Sequence, residues 1–400
     1  MFFVANTVSS GYELWKTDGT ETGTIVVKDI ESGAGNSTSQ FLTLLNGNLF
    51  FNAYTTASGY ELWKSDGTEA GTLLVKDAAA GTLNGGIGGT INIDGTLYFV
   101  ATTEAHGQEL WKTDGTNGTT VLVKDIEPAG SSNPNSLTNI NGTLYFGASN
   151  TTHGYELWKS DGTTAGTMLV KDIETGSGGS SVQNLTNVNG TLYFIAYTAT
   201  LGYELWKSDG TTAGTVMVKD IEPGSGSAQP YYLTNVNGTL YFLAYTASNG
   251  TELWKSDGTN EGTILVKDIV PGTTSSYPQN LTNVNGTLFF SAYAANSGQE
   301  LWKSDGTNAG TVLLKDVNTS LFWNSGSFIY KSSYPQNLIN IGGTLYFTAD
   351  ISPAQYGYSY SLWKSNGTNA GTVMVKNMTV YNPINVNGTL YFIGGSAAAG

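Results

Sequence analysis

The chain has 400 residues, 39% of them hydrophobic, no cysteine, 17 basic residues that are all lysine, and a formal net charge of −14. That charge disfavours nucleic acid and anionic membrane surfaces as partners, and the missing thiols exclude disulfides and thiolate-bound metals. No stretch resembles a membrane span, and the length suffices for a large core.

Met1 leads straight into Phe2-Phe3-Val4-Ala5, a strand-like run with no signal peptide before it. The chain is therefore read as beginning inside a repeat, as a fragment of a longer protein. Glu-Leu-Trp or a close variant follows eight times, with tryptophans at Trp15, Trp63, Trp111, Trp158, Trp206, Trp254, Trp302 and Trp363; the first seven are 47 or 48 residues apart. One supersecondary unit is repeated, and most recurring residues serve the scaffold. The repeats are placed at 1–40 with 382–388, then 41–88, 89–135, 136–183, 184–231, 232–279, 280–336 and 337–381, as one domain over 1–400.

Residues 232–279 show the unit plainly. Leu233 to Val236, Thr239 to Tyr245, Thr251 to Ser256 and Thr263 to Ile269 are rich in β-branched and aromatic residues and read as four short strands. Asn237-Gly238 is a two-residue hairpin signal. Asp257-Gly258-Thr259 through Gly262-Thr263 reads as a longer hairpin loop. Four antiparallel strands per unit of this length predict an all-β fold, an eight-bladed β-propeller of four-stranded blades. Pro383-Ile384-Asn385-Val386 is a spare first strand, and the first repeat lacks one. The expectation is a ring closed by the C-terminal strand completing the first blade, which leaves Leu390 to Ile393 redundant.

The run GTLYF, then ELWKSDGT, then VKDI resembles the bacterial ELWxxDGT repeat family over essentially the whole chain, with a looser likeness to Kelch blades. The resemblance implies large, often exported bacterial proteins, and no defined activity. It also implies that the Leu-Thr-Asn-Val segment is the innermost strand and the Val-Lys-Asp-Ile segment the outermost.

Sixteen of the 17 lysines occupy two repeat positions, Lys16 and Lys28 in the first unit, beside the recurrent acids Glu13, Asp18 and Asp29. The eighth unit replaces those acids with Ser361, Asn366 and Asn377. Turn caps and cross-strand ion pairs are expected, rather than a ring of cation sites, because no DxDxDG loop is present. The presumed channel strands carry Thr138 and Asn139, Thr186 and Asn187, Thr234 and Asn235, and Thr282 and Asn283. None of these titrates, and Asp94 is the nearest carboxylate, so no acid–base pair is visible. His106 and His153 occupy equivalent loops and make at most a two-ligand metal site. No catalytic residue, metal or cofactor is expected.

Strand parity puts the short turns on one face and the long, variable loops on the other. The Trp302-to-Trp363 spacing is 61, and the extra residues fall around Leu321 to Ser333 and Ile351 to Tyr358. They bring Phe322, Trp323, Phe328, Tyr330, Tyr334, Tyr356 and Tyr358 to the long-loop face as candidate binding residues. The expected function is a non-catalytic, monomeric extracellular or cell-surface adhesion module binding a protein or glycan there. An architectural spacer array and a polysaccharide-active enzyme are the alternatives.

Overall fold

The computed structural model describes residues 1–324, 327–353 and 359–395. Strands dominate, with a single-turn 3-10 helix at Asn117–Thr119. No helix among the described residues is long and apolar enough to cross a membrane.

The repeat read from residues 232–279 folds as four consecutive antiparallel strands, Tyr231–Val236, Thr239–Thr246, Gly250–Ser256 and Ile264–Lys267. Asn237 and Gly238 take φ values of 51° and 88°, as a type I′ hairpin requires. The fourth strand stops at Lys267, short of the expected Ile269, after a bulge at Leu253/Trp254. Asp268 leaves the ladder to accept the Gly272 N–H (3.1 Å), and the Ile269 N–H turns to Glu252 (3.2 Å). Gly262 is needed in the Asp257 loop, because a Cβ there would lie 2.0 Å from Asp257 Oδ1.

Both faces of the second strand are buried: Leu240, Phe242 and Ala244 on one side, Tyr241 and Leu243 on the other. Neighbouring sheets within a unit cover one another's faces. Val236, Tyr241, Leu253, Val266 and Ile269 of one repeat pack against Leu288, Phe290 and Trp302 of the next. A fully buried side chain of this size contributes about 1.5–3 kcal/mol, so these stacks hold the repeats together.

The chain divides into two compact units. One comprises Met1–Thr198 with Ser208–Thr215, the other Ala199–Lys207 with Val216–Gly400. The first contains the sheet Phe2–Thr7, Gly11–Lys16, Ile25–Lys28, then three four-stranded sheets that begin at Gln40, Gly88 and Asn135, then the pair Gln183–Val188 and Thr191–Thr198. The second contains the strand Gly202–Ser208 up to Lys207, with Val216–Lys219, then four-stranded sheets beginning at Tyr231, Gln279 and Gln336, with two hairpins beside them. Within each unit the first strands lie side by side. The Asn92 amide donates to Leu44 O (3.0 Å) and that of Asn187 to Asn139 O (3.1 Å) in the first; Asn283, Asn340 and Asn385 repeat the bond to Asn235, Asn283 and Asn340 in the second. The neutral Asn at 92, 187, 283, 340 and 385 is thus a strand-to-strand tie.

Two expectations of the fold need correction. The strand Thr379–Val386 pairs with Thr389–Gly395, and the sheet of Phe2–Thr7 has three strands. The C-terminal strand does not complete the first blade, no sheet is closed, and the grouping of 1–40 with 382–388 falls with it. The reason is local: Asn387-Gly388 (φ 50° and 82°) folds the next segment back as a hairpin, and a two-residue closure outcompetes a distant one. Eight uniform four-stranded blades are likewise not found, because the first sheet lacks a strand and the insertion forms its own hairpin, Leu321–Asn324 with Ser327–Tyr330.

Candidate functional site

The recurrent charges form a scaffold, but not the expected one. Each repeat Glu is fully buried and grips the main chain that links one sheet to the next. Glu156 accepts from the N–H groups of Ile173, Glu174 and Ser180 (3.1, 3.1 and 2.9 Å) and from Ser180 Oγ (2.6 Å). Burial pushes Glu61, Glu156, Glu204 and Glu252 up to about 7 and Glu300 to about 8, against the opposing pull of their hydrogen bonds. Among the described residues these glutamates take main-chain N–H and serine groups rather than lysines. Lys159 Nζ donates to Gly210 O (2.9 Å) and Lys171 Nζ to Thr215 O (2.8 Å), both in the turn of the following repeat. The ion-pair expectation fails because the Glu side chains point inward while the Lys stems reach along the surface to the next turn. Asp257 caps its turn as expected, taking the N–H and hydroxyl of Thr259 (2.8 and 2.7 Å), and these bonds hold its carboxyl below the usual range.

The two histidines are tied locally through Nδ1. His106 meets Asp125 Oδ2 (2.9 Å) and His153 meets Asn150 Oδ1 (3.1 Å). Among the described residues no group of three His, Asp or Glu is arranged to hold a metal.

A more distinctive arrangement lies in the second unit. An open cavity of about 370 Å³ is lined by Gln279, Asn280, Ser291, Gln299, Tyr334, Pro335, Gln336 and Tyr360. Its two sides come from one pentapeptide used twice, Ser-Tyr-Pro-Gln-Asn at 276–280 and 333–337. Tyr277 and Tyr334 take φ values of 44° and 45° directly before proline. The equivalent Thr38, Asn133, Ser181 and Gln229 share this left-handed backbone, so it belongs to the repeat and not to the cavity. Asn280 Nδ2 ties the sides together through Pro335 O (3.1 Å), and Gln299 Nε2 reaches Ser291 Oγ (3.3 Å). The side-chain amides of Gln279 and Gln336 have no protein partner among the described residues. Of the sequence candidates among the described residues, Tyr334 alone belongs to this cavity. The others were missed because most sit at strand positions whose residue type varies between repeats; the duplicated pentapeptide was the signal available.

The remaining candidates divide. Trp323 and Phe328 lie on the inserted hairpin, 59% and 66% exposed, with their rings edge to face at 5.0 Å. Phe322 is half-buried, and Tyr330 is exposed at the hairpin base. Tyr356 and Tyr358 lie outside the described residues. The two insertions meet at their bases, where Asn318 Nδ2 donates to Ser352 O (3.0 Å). Beside that contact the one lysine outside the repeat positions, Lys331, faces Asp350 at 3.4 Å, both buried.

No family model and no curated protein matches the chain. Solved structures align with it at low identity. A prolyl endopeptidase structure aligns at 12% identity and a TM-score of 0.47, covering 88% of this chain and 53% of the other. A puromycin-hydrolysing peptidase of Mycobacterium tuberculosis aligns at 11% and 0.41, covering 88% and 57%. The β-propeller domain of the Trilobed protease from Pyrococcus furiosus aligns at 8% and 0.39, covering 84% and 96%. The chain spans about half the length of the first two. This corrects the expectation of an adhesion module and its spacer and polysaccharide-enzyme alternatives, since the structures it aligns with are those of peptidases. At these identities no peptidase activity passes to this chain.

Proposed function

We propose that this chain is a peptide-receiving module without catalysis of its own, acting beside a peptide-processing domain or partner that supplies bond cleavage. One observation carries the reading, the cavity between the two Ser-Tyr-Pro-Gln-Asn segments. Its size suits a few residues of extended peptide. A carboxamide offers a donor pair and an acceptor, the same complement that a peptide group presents. The amides of Gln279 and Gln336 supply these from opposite sides, and Tyr334, Pro335 and Tyr360 supply apolar surface. No charged side chain lines the cavity, so neither a free carboxylate nor a free ammonium finds a partner there. An uncharged internal stretch of chain fits better than a terminus.

Peptidases are the class with which the chain aligns, but the cavity chemistry carries the proposal. Membership of the ELWxxDGT repeat family belongs to the same reading and is supported by the motif. Calorimetric titration tests it with an acetylated, amidated pentapeptide of alanine and glutamine. Binding should persist at high salt, weaken when the same peptide carries free charged termini, and fall at least tenfold in the variant Gln279→Ala/Gln336→Ala. Equal affinity in that variant sinks the proposal.

A further inference from the structure

We infer that Lys331 and Asp350 are positioning residues for this cavity, holding its Tyr334 and Tyr360 walls in place; the inference rests on the peptide reading above. Asp350 stands where other second strands carry Tyr54, Thr102, Ser149, Tyr197, Tyr245 or Tyr293. Tyr245 and Tyr293 are exposed at that place, whereas Asp350 is fully buried under the insertion. Its strand partner by register is Tyr360, a wall of the cavity. Asp350 Oδ1 accepts the N–H groups of Ser352 (2.9 Å) and Ser359 (2.7 Å), and Ser359 immediately precedes Tyr360. Oδ2 faces Lys331 Nζ at 3.4 Å.

Lys331 lies three residues before Tyr334, another wall of the cavity. Its N–H donates to Ser320 O (2.9 Å) and closes the hairpin base. Between the two, Ser332 Oγ accepts from Gln299 N (2.8 Å), and Gln299 O accepts from the N–H groups of Ser333 and Tyr334 (3.1 Å each). The Asp350 N–H itself donates to Ser333 O (2.6 Å). One carboxylate therefore reaches the segment entering Tyr360 directly and the segment entering Tyr334 through Lys331. A buried ion pair adds little net stability over an apolar pair, but it fixes geometry where two chain segments must keep register. Lys331 and Asp350 meet here and not on the exposed hairpin, so the insertion serves the cavity.

Two variants separate positioning from folding. Lys331→Met/Asp350→Leu replaces the pair with apolar side chains and keeps the interior filled, while removing the acceptor for Ser352 and Ser359. Asp350→Asn keeps an acceptor and leaves Lys331 without its carboxylate. Hydrogen exchange of the whole chain is the readout that needs no ligand. In the double variant, amides at 332–334 and 359–361 should exchange at least tenfold faster, with 135–198 unchanged, and the blocked pentapeptide should bind about tenfold more weakly. Asp350→Asn should loosen 332–334 more than 359–361. Unchanged exchange at both walls of the double variant overturns the inference. If the unaltered protein does not bind the pentapeptide, the peptide reading fails instead, and the exchange pattern alone decides the positioning role.

Discussion

Two connectors in the second unit are held by the same device and differ in length. Glu252 grips its connector through Ile269 N (3.2 Å), Ser276 N (2.8 Å) and Ser276 Oγ (2.5 Å), and the serine lies 24 residues away. Glu300 grips through Val317 N (2.8 Å), Ser333 N (2.8 Å) and Ser333 Oγ (2.6 Å), and its serine lies 33 residues away. The same carboxylate geometry spans a hairpin of inserted residues. A buried clamp fixes where a connector leaves and re-enters, so what lies between can lengthen without disturbing the sheets. Loop closure makes this affordable, because cost grows only with the logarithm of length. The insertion was thus free to acquire Lys331, and with it the contact to Asp350.

The comparison breaks most visibly if the two clamps differ in strength. Glu252→Ala leaves the Ile269 and Ser276 N–H groups without that acceptor, and Glu300→Ala that of Val317 while Ser333 N–H keeps Gln299 O, at about 1–3 kcal/mol per group. Each variant should lose on the order of 3 kcal/mol or more in denaturant unfolding. A Glu300→Ala loss far below that of Glu252→Ala would show that the longer connector is held by something else. Glu204→Gln, which an exposed ion pair would tolerate, should also be costly, since its amide turns N–H groups toward N–H donors.

A pH series sharpens the same comparison. Burial raises these carboxyls from 4.5 to about 7, and Glu300 to about 8, so the folded state keeps protons that the unfolded chain has released. Their stabilisation is complete below about pH 4.5 and is lost as pH rises through 7 to 8. Tm should fall between pH 5 and pH 9, on the order of 5 °C. The part lost latest should vanish in Glu300→Gln. A flat profile over that range would contradict the burial argument.

Lysine bolts should matter least. Lys159→Met removes a donor to the next repeat's turn and keeps the aliphatic stem, so about 0.5–1.5 kcal/mol should go. A loss independent of salt identifies a bond to a carbonyl; strong salt screening would instead restore the ion-pair reading.

The strands were legible because Asn237-Gly238 and the Leu240–Ala244 run state turn and strand locally. Pairing at the ends was not, because Phe2–Thr7 and Thr389–Gly395 are equivalent sequences and only geometry decides which one Thr379–Val386 takes. The glutamates looked like surface charges because most of their partners are main-chain N–H groups; the serine 24 residues on, at Ser37, Ser180 and Ser276, is the trace they leave in sequence. The aromatic insertion drew attention to Trp323 and Phe328, which are exposed, while the lining of the cavity is mostly amide. Gln279 and Gln336 carry no motif of their own and become a pair only when adjacent sheets bring the two pentapeptides together.

The most direct test of the peptide reading is a crystal structure with the acetylated, amidated alanine–glutamine pentapeptide. The account predicts its main chain between the carboxamides of Gln279 and Gln336, with Tyr334 and Tyr360 against its side chains. A peptide bound instead on Trp323 and Phe328, or found nowhere at saturating concentration, would contradict it.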